Sequence, residues 1–332
     1  MSRPPALPAL VAVTCLLLSG CGGTPGSTTQ PHPSASRTST TTPTQAPPVV
    51  HASGRDAGWR LPQPSARQAL VDLGAGHVLL AGGMLQGDSS TAAVHRIDLA
   101  TGRAAPAPPL SVAVHDAAGG LFAGAPAVFG GGNATEQSLV QSLHGTTWRR
   151  VDAFPTSRSD LSAVTTPDGT IVLGGYDGRS VPRTIWAQRG RSRLQPNGQL
   201  ARGVRYAATA LVQGEIYVFG GEVAGAELSA VQRVDPRTGR TRVVAHLPHP
   251  LGHAMAAAVG GRVLLMGGRI NSATQSDQMW WFDPSGRRFT RAGRLPRPLS
   301  DASVAVSGSS VWLLGGEDPG VSDRVVRVDL TR

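Results

Sequence analysis

A short apolar run closed by two glycines occurs six times in this sequence, and no other feature limits the possible folds as strongly. The first glycines of the runs VLLAGG, AVFGG, IVLGG, IYVFGG, VLLMGG and VWLLGG are residues 82, 130, 174, 220, 267 and 315. The successive spacings of 48, 44, 46, 47 and 48 residues lie in the range of repeat architectures. Each run is short and bounded by turn residues, which favours a buried strand. The chain is therefore predicted to fold as a series of similar units.

Three further strands share this period. A strand of small residues precedes each apolar run, as in ASVAVSG from Ala302, and a tight turn such as Gln213-Gly214 joins the two into a hairpin. A third strand follows the glycines and ends in a turn such as Asp235-Pro236-Arg237-Thr238-Gly239, and a fourth short strand precedes Leu-Pro or Phe-Pro. The 42 glycines and 26 prolines agree with short strands joined by many turns. Four antiparallel strands per repeat correspond to one blade of a β-propeller.

These repeats resemble the kelch repeat. The resemblance rests on the apolar run with its double glycine, on the Asp-Pro-x-Thr-Gly turn of the third strand, and on a tryptophan in the fourth strand at Trp148. It covers residues 58–332, although the tyrosine usual in the kelch third strand is missing. The resemblance implies an all-β protein, a six-bladed β-propeller of the kelch type.

The two ends of the repeat region predict how the propeller closes. Residues 58–62, Gly-Trp-Arg-Leu-Pro, match the fourth strand of a repeat, but no first three strands precede them. The last repeat stops after its third strand, which runs from Val325 to Leu330. The N-terminal strand is therefore expected to complete the sixth blade, which removes an open sheet edge.

The N-terminus has the features of an exported lipoprotein. Residues 1–20 carry one charge, Arg3, followed by an apolar stretch, and are predicted to be a signal peptide. The sequence Leu-Ser-Gly-Cys that ends at Cys21 resembles a bacterial lipobox, which implies that Cys21 is lipidated and holds the protein on the outer face of the cytoplasmic membrane. The alternative is an ordinary signal peptide with Cys21 a free thiol. Residues 21–57 are rich in Ser, Thr and Pro and are predicted to be a disordered tether.

Composition excludes several classes of site. The chain has a formal charge of +10 but contains no lysine, so Schiff-base lysines, a Walker-type phosphate loop and a Ser-Lys dyad are ruled out. Cleavage before Cys21 would remove Cys15 and leave a single, acylated cysteine, which can form neither a disulfide nor a cysteine-ligated metal site. His246, His249 and His253 are separated by a Leu-Pro loop, so we expect no metal site and no cofactor.

Polar residues recur at two phases of the repeat. Counting back fourteen residues from each first glycine gives one polar residue at the start of each blade: Gln68, Asp116, Asp160, Tyr206, His253 and Asp301. Arg67 and Arg205 stand one residue before this position, and other polar residues follow the double glycines. Loops at one face of a propeller carry function. We therefore predict a shallow, solvent-facing basin whose side chains take no part in blade packing; its candidates are Asp160, Arg205, Tyr206, Glu222, His253, Arg269, Asp301 and Glu317.

The sequence leaves two functions open. The first is a binding or scaffold module, which we expect to be monomeric and to bind a protein, a glycan or a wall polymer. Its contact with the membrane would be the lipid anchor. We expect no nucleic-acid partner, because the chain is predicted to be exported. The second follows from resemblance to the sialic acid mutarotase of bacterial envelopes, in which Glu222 and Arg205 would do the acid–base work. Kelch-containing copper radical oxidases need a cysteine linked to a tyrosine, which this chain lacks after processing.

Overall fold

A computed structural model describes residues 51–331. The predicted signal peptide, Cys21 and the tether up to residue 50 lie outside the described residues. Within that range every regular element is a strand. The search for a helix long and apolar enough to cross a membrane finds none among these residues.

The first three blades are four-stranded antiparallel sheets with consecutive strand order. Blade 1 contains β2 (Ala69–Gly74), β3 (His77–Ala81), β4 (Val94–Asp98) and β5 (Ala104–Ala107). Blade 2 contains β6 (Ala118–Phe122), β7 (Ala125–Phe129), β8 (Leu139–His144) and β9 (Thr147–Ala153). Blade 3 contains β10 (Ser159–Thr166), β11 (Gly169–Tyr176), β12 (Thr184–Gln188) and β13 (Gln195–Gln199).

The next three blades repeat this order, and two of them carry small extra hairpins. Blade 4 contains β14 (Ala208–Val212), β15 (Glu215–Phe219), β18 (Ala230–Val234) and β19 (Thr241–His246), with the hairpin β16 (Glu222–Val223) and β17 (Ala226–Glu227). Blade 5 contains β20 (Met255–Val259), β21 (Arg262–Met266), β24 (Gln278–Asp283) and β25 (Arg288–Arg294), with the hairpin β22 (Arg269–Asn271) and β23 (Thr274–Gln275). Blade 6 contains β26 (Ser303–Ser307), β27 (Ser310–Leu314), β28 (Arg324–Thr331) and the N-terminal β1 (His51–Arg60).

The N-terminal strand closes the sixth blade, as the sequence predicts. β1 pairs antiparallel with β28 from His51 opposite Thr331 onward, and near its start it also pairs with β25 of blade 5. The strand begins at His51, so the predicted tether of residues 21–57 extends seven residues too far. The reason is that main-chain pairing holds this outer strand, whose side chains alternate between buried and exposed only weakly and therefore lack the apolar pattern of an inner strand.

Each double glycine lets the next blade approach closely. The N–H of the second glycine donates to a carbonyl oxygen in the loop that enters the following blade, as in Gly221 to Leu251 at 2.9 Å. A Cβ on Gly220 would collide with that same oxygen. In the last blade Gly316 donates to Ser65 at 3.0 Å, which joins blade 6 to blade 1. The repeated glycines are therefore the contacts that assemble the ring.

The apolar core lies largely between blades. One cluster joins Leu80 and Ile97 of blade 1 to Trp312 and Leu314 of blade 6. Trp59 of the closing strand packs on this cluster, with its ring centroid 5.7 Å from that of Trp312. Closure of the ring is thus stabilised by apolar burial as well as by strand pairing.

Candidate functional site

A ring of backbone hydrogen bonds surrounds one end of the central channel. Six residues, one per blade, adopt left-handed conformations with φ between 53° and 59°. The N–H of each donates to the carbonyl oxygen of its counterpart in the preceding blade, over 2.8 to 3.1 Å. Four of the six are Asp or His, which tolerate this conformation better than most residues. The six are Arg67, Asp116, Asp160, Tyr206, His253 and Asp301.

The structure corrects the ring position in blade 1, where the sequence count gives Gln68. The hairpin of β2 and β3 contains a bulge between Asp72 and Gly74. The bulge adds one residue, so the ring position falls fifteen residues before Gly82, at Arg67. Gln68 is buried beside the ring and donates to the backbone carbonyl and the hydroxyl of Ser65.

All eight predicted site residues come together at this end of the channel. With Arg67 and Asp116 they form one connected set of hydrogen bonds, ion pairs and ring contacts, here called the polar network: Arg67, Asp116, Asp160, Arg205, Tyr206, Glu222, His253, Arg269, Asp301 and Glu317. It holds five carboxyl groups, three guanidinium groups and one imidazole. The charges of the network therefore face one another.

Both carboxylate oxygens of Asp301 have partners at the centre of the polar network. One carboxylate oxygen lies 2.7 Å from His253 Nδ1 and 3.7 Å from Arg67 Nε. The other accepts from Arg269 Nη2 at 3.3 Å and from the Ser300 hydroxyl at 2.7 Å. Glu317 continues the chain of contacts, since it accepts from Arg67 and from Arg269. Blades 1, 5 and 6 are thus tied together through carboxylates.

Arg205 and Tyr206 form the opposite side of the polar network. Arg205 donates to Glu222 through Nε at 3.1 Å and Nη2 at 2.5 Å, and its Nη1 lies 3.5 Å from Asp160. The Tyr206 ring stacks on His253 with centroids 3.9 Å apart. The Tyr206 hydroxyl accepts from Arg67 Nη1 at 3.3 Å. This side of the network therefore combines stacking with charge pairing.

Mutual pairing shifts the protonation of the polar network. Burial disfavours a charged imidazole at His253, but Asp301 and Glu222 outweigh burial and raise the pKa of His253 to about 9. Hydrogen bonds from His253 and Arg205 lower the pKa of Glu222 to about 2. Burial, reinforced by the charge of Asp116, raises the pKa of Asp160 to about 7. At neutral pH the network therefore contains a protonated His253, an ionised Glu222 and an Asp160 that is partly protonated.

The predicted open basin is wrong in one respect: most of these side chains are buried. The exposed fraction of the side chain is 5% for Asp160, 6% for His253 and 26% for Arg205. The physical reason is that carboxylates and guanidinium groups from all six blades point inward and neutralise one another. These residues consequently contribute to the assembly of the blades as well as to the surface of this face.

Below the polar network lies the central channel, with a cavity of about 290 Å³. Small side chains from the first strand of each blade line it, including Ala118, Ala163, Ala208 and Ala256. The polar network lies at one end of this cavity, and its six ring residues form part of the cavity lining, whereas Arg205, Glu222, Arg269 and Glu317 do not.

A second cavity of about 630 Å³ opens on the same face between blades 3 and 4. We call it the arginine groove. Its ten lining residues include the half-buried Tyr176 and three arginines but no carboxylate; they are Tyr176, Arg179, Ser180, Val181, Arg183, Gly203, Arg205, Val223, Ala224 and Gly225. Arg205 belongs to both the groove and the polar network.

Tyr176 directly follows the double glycine of blade 3, one of the positions where the sequence analysis noted polar residues, whereas Arg179 and Arg183 were missed. The available signal is the loop Asp-Gly-Arg-Ser-Val-Pro-Arg at residues 177–183, which carries two arginines and one acid. That acid, Asp177, accepts from the backbone N–H groups of Arg179 and Ser180 and so caps its own turn. Among residues 51–331 no group of three or more His, Cys, Asp or Glu side chains has a geometry that could hold a metal.

Comparison with known proteins agrees with the fold. Residues 250–296, which contain all four strands of blade 5, match the family model of the Kelch motif. Among curated proteins no significantly similar sequence is found. The six four-stranded blades and the ring closed by an N-terminal strand form an all-β propeller, and the matched repeat fits a propeller of the kelch type.

Proposed function

We propose that this protein is an extracytoplasmic binding module, tethered through a lipid on Cys21, that uses the face carrying the polar network. The observation that carries the proposal is the convergence of charged and aromatic side chains from all six blades on one face. Within the network Arg67, Arg205 and Arg269 remain partly exposed, and the arginine groove opens beside them. Such a surface suits a protein partner or a polar ligand such as a glycan or wall polymer.

A sugar mutarotase is the second candidate, and one observation favours it. A carboxyl group that exchanges protons near neutral pH is an efficient acid–base catalyst, and Asp160 has a pKa of about 7 beside Arg205. Glu222, which the sequence assigned to this role, is unsuited to it because its pKa is about 2 and both of its oxygens are paired. The proposal of catalysis therefore moves from Glu222 to Asp160.

The binding function is tested by screening the full chain against peptides, glycans and wall-polymer fragments. Every hit is then measured with Arg205→Ala/Glu222→Ala, which removes both members of an ion pair, and with Arg103→Ala/Asp98→Ala on the opposite ends of the strands. Binding lost only in the first variant, while circular dichroism shows that this variant is still folded, supports the proposal, and hits insensitive to it would contradict the choice of face. Mutarotation is followed by NMR of anomer exchange, where an Asp160→Asn variant as active as the parent would exclude the catalytic role.

Lipid anchoring has its own test. Metabolic labelling with a fatty acid should label the parent protein and leave Cys21→Ser unlabelled, with the variant accumulating as a longer precursor. Equal labelling of both proteins would contradict the anchor without affecting the binding proposal.

A further inference from the structure

We propose that the arginine groove is a binding site for a carboxylate group carried on an apolar body, such as an acidic peptide segment or a small organic acid. The inference rests on the proposed binding function and names the ligand chemistry for one part of the same face. Its first support is a charge imbalance: three of the ten lining residues are arginines, and none carries a carboxylate.

Two of the three guanidinium groups lack an acidic partner within residues 51–331. Arg179 is exposed, and its side chain takes part in no hydrogen bond or ion pair there. Arg183 donates through Nε to the carbonyl oxygen of Leu200 at 2.6 Å, which fixes the side chain and leaves its terminal nitrogens available. A planar guanidinium offers two parallel N–H groups that match the two oxygens of a carboxylate.

The loop that carries these arginines is ordered by its own contacts. The Asp177 carboxylate accepts from the N–H groups of Arg179 and Ser180 at 2.9 and 2.6 Å and from the Ser180 hydroxyl. The backbone of the loop therefore presents the arginines without needing a ligand to fold it. Preorganisation of this kind lowers the entropic cost of binding.

The remaining lining of the groove indicates the rest of the ligand. Val181, Val223 and Ala224 supply apolar surface, and the Tyr176 ring lies under the Arg205 guanidinium, 5.2 Å from it. The cavity of about 630 Å³ is within the range of small-ligand sites. A bare inorganic anion would leave the apolar wall uncovered, so a carboxylate on an apolar body fits better than free phosphate.

The probe for the test is a fluorescein-labelled tetrapeptide of alternating leucine and glutamate. Its binding to the full chain is followed by fluorescence anisotropy, with the glutamine and lysine analogues as ligand controls. The test variant is Arg179→Gln/Arg183→Gln. The matched control is Arg103→Gln/Arg191→Gln, which removes the same charge from two exposed arginines at the opposite ends of the strands.

We expect the acidic peptide to bind and the glutamine peptide to bind far more weakly. The test variant should lose about tenfold in affinity for the acidic peptide, because it loses charge-assisted hydrogen bonds that contribute to the binding free energy. The control variant should change affinity by less than about twofold. Equal losses in the two variants would show general attraction to a basic protein and overturn the proposal, as would an unchanged affinity in the test variant or no binding of the acidic peptide.

Competition separates the sources of the carboxylate. Phenylacetate displacing the peptide, with phenylacetamide inactive, identifies a small-acid site, whereas displacement by longer acidic peptides alone identifies a peptide site. Displacement by inorganic phosphate at equal concentration would contradict the apolar requirement. If screening hits depend on Arg205 and Glu222 but not on Arg179 and Arg183, the groove proposal fails while the binding function stands.

Discussion

The polar network and the arginine groove lie side by side and share Arg205, yet their charges are arranged in opposite ways. In the network five carboxyl groups face three arginines and His253, and most of the side chains are buried. In the groove no carboxylate lines the cavity, and the two arginines that it does not share with the network, Arg179 and Arg183, are exposed. The network therefore contains charged side chains that pair with one another inside the protein, whereas the groove contains guanidinium groups that remain available to a ligand.

This comparison changes how charged residues in a propeller are interpreted. A buried ion pair is costly to break because the remaining partner is left without compensation. An exposed, unpaired arginine has no such constraint and loses little when it is replaced. Substitutions in the network should therefore act first on stability, and substitutions in the groove should act first on binding.

The largest effect is expected at the centre of the polar network. Asp301→Asn keeps the shape of the side chain but removes the negative charge that faces His253, Arg269 and Arg67, and should lower the free energy of unfolding by about 3 to 5 kcal/mol. Urea denaturation measures the change. Asp88→Asn, an exposed aspartate, is the matched control and should stay within about 0.5 kcal/mol. Equal stability of the two variants would mean that Asp301 contributes no more to the free energy of unfolding than an exposed aspartate does.

A pH effect of the next size is expected from His253. Its pKa is about 9 in the folded protein, above the ordinary value of 6.5, so its stabilising contribution is complete below pH 6.5 and is lost as the pH rises through 9. The loss amounts to about 3 kcal/mol. Denaturation between pH 7 and 9.5 should show this decline in the parent and a flatter profile in His253→Gln. Parallel profiles would contradict a charged His253.

A pair of tyrosines gives a smaller and matched contrast. Tyr206→Phe removes the hydroxyl that accepts from Arg67 while leaving the ring stacked on His253, and should cost about 1 kcal/mol. Tyr176→Phe in the groove removes a hydroxyl that makes no hydrogen bond within the described residues and should cost less than about 0.5 kcal/mol. Thermal denaturation of both variants checks the order, and a reversed order would break the comparison.

The smallest effect on stability is expected in the arginine groove. Arg179→Gln/Arg183→Gln should leave the free energy of unfolding within about 0.5 kcal/mol of the parent, because Arg179 is unpaired and Arg183 is held by a single carbonyl oxygen. The measurement is urea denaturation under the conditions used for Asp301→Asn. A loss above about 2 kcal/mol would place these arginines among the structural residues and weaken the comparison.

The sequence by itself determined the architecture. The six double glycines give the number of blades, and their spacing gives the length of each repeat. Each second glycine donates a hydrogen bond to the next blade, so a local motif carries the contact that assembles the ring. The Trp59 segment, in turn, predicts closure by β1 because its match to a fourth strand is visible in the residues alone. The repeat also brought all eight candidate residues to one face, since equivalent positions in a closed ring must lie together.

Only the tertiary structure decided which of these polar residues are satisfied and which are free. One bulge in blade 1 moves Arg67 into the ring position in place of Gln68, a change that no residue count reveals. Pairing between Asp301 and His253 joins residues 48 positions apart, and the lining of the arginine groove, which contains no carboxylate, is formed where the loops of two blades meet. Charge pairing and burial are properties of three-dimensional neighbours, so a periodic sequence can place a side chain on a face without fixing its partner.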